Sequence, residues 1–505
     1  MTANRRPIQT LAALALCAAA GCARLDPRAD YQRVAAHVAD ATGVTPVERP
    51  DDDAAAEGLV DELLREGLAL DEAVQVCLLS NARARAALLR VGVARAELAQ
   101  AGLFRNPTLA LAARLPDGGG LANLEAAITQ SITDLWLLPV RRRAAEAGLE
   151  HEVLSVAREL SAMALATRRA YLAAVAADRE YELALENGEL GRQLVEVTTA
   201  RQQAGVGSSI DVSAAQAEVM RIDVAARRAA LVRYEARQRL VALLGRELDP
   251  DAVVLCDTLP DPAGPLPPLE TLLIAAEQRL DLGAADIAVA AAEARVRQEM
   301  LSVFSEVEAG VSFERDARGR RGDRPWRADT LWASAEAGDL AVPALRPREK
   351  LPTDTVVGPS LSLVLPIFDQ NQAQIALAHL ALRQAELARD ALRLDIRLET
   401  RAAEQRARAA TGLAAYYRDT YVPLLRTNLE LAREAYRGGK TSLLAVLEAH
   451  KVLLAARGEY VVALRDAALA WADLEQSIGQ PLTPPLAPVP SPTHATTEDT
   501  KEVEP

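Results

Sequence analysis

The stretch QAGVGSSIDV at residues 203–212 decides the fold, because it joins two long helical segments. Residues 141–204 contain no proline, and their apolar positions step by three and four residues in alternation. That spacing is the coiled-coil period, in which one apolar stripe packs against another helix. About 64 residues at the helical rise give a rod of about 96 Å. Gly205 and Gly207 predict a turn, and a serine can cap the helix that returns to Gly245.

The same hairpin occurs a second time. The stretch RGGKTSLLAV at 437–446 repeats the turn, and Gly439 lies 234 residues after Gly205. The glycines that end the two return helices, Gly245 and Gly479, have the same separation. Residues 374–437, before the second turn, repeat the long coiled-coil helix. A repeat of this length is a duplicated domain and not a solenoid.

The N-terminus has the features of an export signal. Arg5 and Arg6 precede an apolar run at 11–20, which is too short to span a bilayer as a mature helix. The run ends in AAGC, which resembles the lipobox of bacterial lipoproteins and makes Cys22 the lipidated first residue of the mature chain. By the same resemblance, alanine at position 23 favours sorting to the outer membrane. The alternative is a soluble secretory signal that is cleaved elsewhere.

Composition excludes several classes of function. The 505 residues have a formal net charge of -13, which argues against a nucleic-acid partner. The five histidines are scattered without metal-ligand spacing, and we find no phosphate-binding loop or nucleophile elbow. We therefore expect no metal, no cofactor and no enzyme activity. Cys77 and Cys256 are better explained as small buried apolar residues than as a disulfide.

Four segments have the two-residue period of strands. Residues 306–314 and 360–365 alternate strictly, and residues 108–114 and 123–134 are weaker counterparts in the first repeat. Their lengths suit tilted membrane strands. The alternative is a pair of soluble hairpins packed on a helix.

Aromatic residues flank these segments. If the four segments form two hairpins, the four aromatic residues beside them all lie at the same end of the sheet, where an interfacial aromatic belt is expected. The polar loop at 315–356 is long and lies at the far end, as at the extracellular rim of a barrel. The aromatic residues are Phe104, Trp136, Phe304 and Phe368.

Four strands cannot close a barrel, and open edges in hydrocarbon leave backbone groups unpaired. If the strands span a membrane, the chain must therefore oligomerise. Three copies give twelve strands, an even number within the usual range. The sequence thus predicts a homotrimer with long helices around a common axis.

At this point the chain resembles the TolC-type outer-membrane efflux proteins, in their lipoprotein branch. Each motif is weak alone, but together they follow the order expected for this family in a duplicated frame. The resemblance covers residues 69 to 480. The motifs are LDEA at 70–73, AGLFRNPTL at 101–109, GPSLSL at 358–363, LPIFD at 365–369 and the two glycine turns.

The resemblance implies a mainly α-helical protein with membrane β-strands. Duplicated long-helix hairpins form a trimeric α-helical tunnel, joined to a 12-stranded β-barrel with four strands from each protomer. It also implies the outer-membrane channel of a tripartite efflux system in a Gram-negative envelope, in contact with outer-membrane lipid. Its partners are then a periplasmic adaptor and an inner-membrane pump. The alternative is a lipid-anchored coiled-coil scaffold or adaptor without a pore.

The same resemblance implies the domain organisation. The segments are a signal peptide at 1–21, an N-terminal anchor and leader at 22–68, a first repeat at 69–245, an equatorial linker at 246–268, a second repeat at 269–480 and a proline-rich disordered tail at 481–505.

Gate residues are carried over from the family by position. Asp211 matches an aspartate that ties neighbouring hairpins together, and Tyr436 matches its tyrosine partner. Lys440 can substitute for a family arginine, because this chain has threonine at 441. The family has two acidic residues at the constriction of the channel, and this chain has an acidic residue at only one of those positions, Glu448. Three copies of Glu448 would then form an acidic ring that favours cations. By the same resemblance, the glycine turns close the periplasmic tip of the channel and contact the adaptor. These turns contain Gly205, Gly207, Gly438 and Gly439.

Overall fold

The computed structural model describes residues 26–46, 53–65, 67–114, 123–260, 265–304, 306–317, 334–338 and 353–482. The signal peptide, Cys22, most of the 315–356 loop and most of the tail at 481–505 lie outside these residues. The described residues form two compact units. A helical unit lies within Met1–Ala96, Ala147–Val289 and Gln384–Pro505, and a sheet unit lies within Glu97–Glu146 and Ala290–Arg383.

The chain is mainly α-helical with one small sheet, as predicted. The helices are α1 (Arg28–Thr42), α2 (Asp53–Arg65), α3 (Leu70–Ser80), α4 (Ala82–Ala101), α5 (Asp134–Gln203), α6 (Ser209–Leu244), α7 (Leu269–Ala276), α8 (Leu280–Leu301), α9 (Gln372–Tyr416), α10 (Val422–Arg437) and α11 (Leu443–Ile478). The strands are β1 (Thr108–Arg114), β2 (Asn123–Ser131), β3 (Val307–Ala317) and β4 (Thr353–Leu363).

The duplication is visible in the helix boundaries. The return helices α6 and α11 each contain 36 residues, and both of their ends are 234 positions apart. The long helix of the first hairpin, α5, has 70 residues and begins before the predicted start at 141. It includes Pro139 as its sixth residue, where the ring has no N–H to continue the helical hydrogen-bond ladder.

The long segment of the second hairpin differs from the prediction. The unbroken helix expected at 374–437 contains a π-turn, Tyr417–Tyr421, between α9 and α10. Pro423 follows the π-turn and has no N–H to continue the regular hydrogen-bond ladder. Tyr416, Tyr417 and Tyr421 pack together there, with ring centroids 5.8 to 6.5 Å apart.

The core of the helical unit surrounds Tyr171 on α5. The Tyr171 ring is fully buried, and its hydroxyl donates a hydrogen bond of 2.7 Å to the Leu68 carbonyl. Burial raises the pKa of Tyr171, so the phenol stays protonated. Leu240 on α6 and Val461 on α11 pack in the same cluster, which therefore joins both hairpins.

The segment predicted as a leader contains packed structure. Within 22–68, the α1 residues Val34 and Val38 are completely buried, and Val60 on α2 joins the main core cluster. Asp30 is also buried and accepts hydrogen bonds of 2.6 and 2.7 Å from the Arg95 guanidinium. A buried carboxylate needs such a partner, because desolvating an unpaired charge is costly.

The two cysteines do not form a disulfide, as expected. Cys77 is buried, but Cys256 is exposed, so the prediction of a second buried thiol was wrong. Cys256 lies in the extended segment after α6, where its N–H donates to the Leu68 carbonyl at 3.1 Å.

The sheet unit contains one four-stranded antiparallel sheet in the order β1-β2-β3-β4. Strand β4 begins seven residues before the predicted start at 360. The start of α5 is tied to this unit by Asp134, which is completely buried. Its carboxylate accepts hydrogen bonds of 2.7 Å from the Arg105 backbone N–H and from the Arg141 guanidinium.

Candidate functional site

The first hairpin tip is built by a glycine turn and a helix cap. Gly205 has a φ of 76°, which lets the Val206 N–H reach the Arg201 carbonyl at 3.0 Å. A side chain at Gly207 would lie 2.9 Å from the Gln202 backbone nitrogen, so this position needs glycine.

A capping box begins α6. The Ser208 hydroxyl accepts from the Ile210 N–H at 3.1 Å, and the Asp211 carboxylate accepts from the Ser208 N–H at 3.3 Å.

The second tip repeats the turn but not the cap. Gly439 has a φ of 68°, and the Lys440 N–H donates to the Ala435 carbonyl at 2.8 Å. Gly438 has a negative φ and continues from α10. Ser442 precedes α11 as Ser208 precedes α6, but its side chain makes no capping hydrogen bond. The two tips therefore share a backbone path and differ in how their return helices are capped.

Two predicted gate residues have different partners within the single chain. Asp211 uses its carboxylate to cap its own helix, and Tyr436 packs its ring under the guanidinium of Arg201. The Arg201 Cζ atom lies 4.7 Å from the Tyr436 ring centroid, which is cation–π distance. Sequence reasoning missed Arg201. The only available signal was its place in the last turn of α5.

The other predicted gate residues are exposed. Lys440 is exposed in the second turn, and Glu448 is exposed on α11 with its carboxylate 3.9 Å from Lys451 Nζ. Such a surface ion pair contributes little and leaves Glu448 free to face an aqueous space.

Apolar side chains also project from the tips. Ile210 is 76% exposed and Leu444 is 69% exposed, and these two residues are equivalent in the duplication. Val206 in the first turn is exposed as well. Each tip therefore carries at least one exposed apolar side chain that another protein could cover.

The sheet has one apolar face and one polar face. Directly paired residues share a face, so the register assigns every strand residue to a side. Leu109, Ile128 and Val311 lie in one row across three strands. Glu125 and Glu314 pair on the opposite face. The residues of the apolar face include Leu109, Leu111, Leu124, Ile128, Val307, Val311, Phe313, Val357, Leu361 and Leu363.

The apolar face is exposed to solvent in the single chain. Leu111 is 72% exposed and Leu361 is 71% exposed, whereas Phe313 on the same face is 37% exposed. A contiguous apolar face of this kind is a site for lipid or for another protein.

The register also locates the four aromatic residues. The start of β1 lies beside the end of β2, and the start of β3 lies beside the end of β4. Phe104, Trp136, Phe304 and Phe368 therefore flank the same end of the sheet, as the sequence indicated. The three phenylalanines are exposed, whereas Trp136 is half-buried in the first turn of α5.

Two further properties limit the chemistry of the described residues. They contain no group of three or more His, Cys, Asp or Glu side chains that could hold a metal ion. Among the helices traced in the structure, none is both long and apolar enough to cross a bilayer.

Comparison with solved structures finds the same fold in several outer-membrane channels. The CmeC outer membrane channel of Campylobacter jejuni is 16% identical with a TM-score of 0.61, over 81% of this chain and 85% of that one. VceC of Vibrio cholerae is 19% identical with a TM-score of 0.58, over 82% and 96% of the two chains. The open-state MtrE outer membrane channel of Neisseria gonorrhoeae is 17% identical with a TM-score of 0.58, over 81% and 88%.

Sequence comparison matches part of the chain to a known family. No curated protein sequence matches the chain significantly. Residues 272–480 match the family described as outer membrane efflux protein, and this confirms the resemblance stated from the motifs. Members of this family are outer-membrane efflux channels and not enzymes. Over residues 272–480, the chain is therefore similar to the outer membrane efflux protein family.

Proposed function

We propose that this protein is the outer-membrane channel of a tripartite efflux system. It carries substrate from an inner-membrane pump and a periplasmic adaptor across the periplasm and the outer membrane. The observation that carries the proposal is the exposed apolar face of the sheet, which is backed by a polar face in strict register. An apolar exterior and a polar interior are what a membrane barrel with an aqueous lumen requires.

The sheet supports a homotrimer, because its outer strands β1 and β4 are unpaired edges in the single chain. In hydrocarbon such edges need partners. Pairing β4 of one copy with β1 of the next closes twelve strands from three protomers.

The long helices support the same assembly. On α9, Leu380, Leu387 and Leu394 recur every seven residues and are more than half exposed in the single chain. A heptad seam of this kind needs a partner helix. In a trimer, the neighbouring protomer supplies it and the helices enclose a tunnel.

The tips support a docking site for the adaptor. Ile210 and Leu444 present equivalent exposed apolar side chains beside the glycine turns. An adaptor with apolar side chains at its own tip would bury them. Three copies of Glu448 then form an acidic ring that favours cations.

The N-terminal features complete the proposal. Signal cleavage before Cys22 and its lipidation anchor the chain in outer-membrane lipid, and the domain boundaries are those implied by the sequence. The aromatic residues at one end of the sheet lie at the membrane interface.

Reconstitution tests the proposal. Full-length protein purified in a mild detergent is expected to migrate as a heat-modifiable trimer and to conduct ions in planar bilayers. The competing function is a lipid-anchored scaffold or adaptor without a pore. A monomer that binds membranes but gives no conductance would establish that function instead.

A further inference from the structure

The contact between Arg201 and Tyr436 joins the two hairpin tips of one protomer. Arg201 lies in the last turn of α5, and Tyr436 lies in the last turn of α10. The guanidinium carbon is 4.7 Å from the ring centroid, and both residues are half-buried. Partial desolvation strengthens a cation–π contact relative to an exposed one.

Each partner is held in place by its own tip turn. The Arg201 carbonyl accepts the Val206 N–H at 3.0 Å, and the Tyr436 carbonyl accepts the Gly439 N–H at 3.0 Å. A movement that separates the hairpins must therefore break the ring contact or distort a glycine turn.

The contact uses the face of the ring. Within the described part of the chain, neither an ion pair of Arg201 nor a hydrogen bond of the Tyr436 hydroxyl is present. The Asp211 carboxylate points instead to the N–H of Ser208. A hydroxyl-to-aspartate bond therefore does not join the two hairpins of one chain.

The duplication shows that the pair is a divergent feature. The position equivalent to Arg201 is Ala435, and the position equivalent to Tyr436 is Gln202. Two identical hairpins would repeat the same residues at both positions. The contact requires that the two copies differ here, and it thus links the first hairpin specifically to the second.

We propose that Arg201 and the Tyr436 ring form a cation–π latch that keeps the two hairpins of each protomer together and the channel tip closed. The proposal rests on the proposed channel function. Arg201 is a positioning residue in it, because it holds the second hairpin without contacting the transported substrate.

Conductance variants test the latch in full-length protein. In planar bilayers, Arg201→Gln and Tyr436→Leu are each expected to raise the open-to-closed ratio by about fivefold. Tyr436→Phe keeps the ring and is expected to leave the ratio within about twofold of wild type. Arg201→Lys keeps a cation and should give an intermediate value. If Tyr436→Phe opened the channel as far as Tyr436→Leu, the hydroxyl would be the tie and the latch would be wrong.

A second measurement does not depend on conductance. In lipid nanodiscs, trypsin cleavage after Arg437 reports separation of the second hairpin tip. Arg201→Gln should accelerate this cleavage by about fivefold, and Asp211→Asn should not. Equal rates in wild type and Arg201→Gln would overturn the latch, even if the channel conducts. A wild-type protein that never conducts would reject the channel function, while the cleavage rates would still decide on the latch.

Discussion

Asn81 and Arg279 bind equivalent carbonyl groups in the two copies of the repeat. The Asn81 amide donates to the Leu243 carbonyl at 2.9 Å, and the Arg279 guanidinium donates to the Ser477 carbonyl at 3.0 Å. Those carbonyls are 234 positions apart, each two residues before the glycine that ends its return helix. The second copy has therefore replaced a neutral amide with a charged group. Arg279 also pairs with Asp281 at 2.7 Å.

This difference predicts unequal costs of substitution. Asn81→Ala leaves one carbonyl unpaired and should cost about 1–3 kcal/mol. Arg279→Ala also removes one of the two arginines that pair with the buried Asp281, and should cost about 3–5 kcal/mol. Hydrogen exchange of amides at the end of α6 and α11 measures each effect locally. Equal protection in the two variants would contradict the charged role of Arg279.

The capping difference at the tips predicts that only one serine stabilises its helix. Ser208→Ala removes the hydroxyl that accepts from the Ile210 N–H, and should destabilise the start of α6 by about 1 kcal/mol. Ser442→Ala is the matched control, because that serine makes no capping bond. Exchange rates at the first turn of α6 and of α11 should separate the two. A similar loss of protection in both variants would mean that Ser442 also acts as a cap.

The sheet contains a glycine that needs its small size. A methyl group at Gly310 would press on the Ile128 carbonyl oxygen and lie 2.9 Å from Thr129 Cγ2, whereas at Gly358 it would meet nothing within 4 Å. Gly310→Ala should therefore reduce the yield of heat-modifiable trimer, and Gly358→Ala should not. Electrophoresis of unheated outer-membrane fractions compares the two. Normal assembly of Gly310→Ala would show that the strands shift to accommodate the methyl group.

The assignment of the sheet faces predicts opposite effects at adjacent residues. Val311 lies on the apolar face and Ser312 on the polar face of β3. Val311→Arg should cost about 2–4 kcal/mol near the membrane midplane and block insertion. Ser312→Arg should insert normally and lower the conductance. If the two variants reversed this order, the polar face would be the one in contact with lipid.

The lowered pKa of His450 on α11 predicts that the stability of the helical unit depends on pH. Burial lowers the pKa of His450, as do the charges of Arg433 and Arg457, while Glu218 acts in the opposite sense. The folded state therefore binds this proton less readily than the unfolded state. The stability that neutral His450 contributes is fully present above its unfolded pKa of 6.5. It is lost as the pH falls below 6.5 towards the folded pKa. Thermal unfolding should show this loss in wild type, and His450→Gln should reduce it. An identical pH profile in both proteins would exclude His450 as its source.

Several elements could be predicted from the sequence because their signals are local. The glycine turns at 205 and 439, the three-four apolar spacing before them and the two-residue period of β3 all depend on neighbouring residues. Three elements of the structure differ from what the sequence indicated. The π-turn at Tyr417–Tyr421, the early start of β4 and the packed helices within 22–68 have weak local signals, and contacts from distant residues determine them.

The sequence by itself determined that one chain folds as two copies of a long helical hairpin, since periodicity and a constant offset need no knowledge of packing. Only the tertiary structure decided which distant residues meet. It brought Arg201 of one hairpin to the Tyr436 ring of the other, and it set the register that gives the sheet one apolar face. The physical reason is that cross-strand and inter-helix contacts depend on how elements far apart in the chain are brought together.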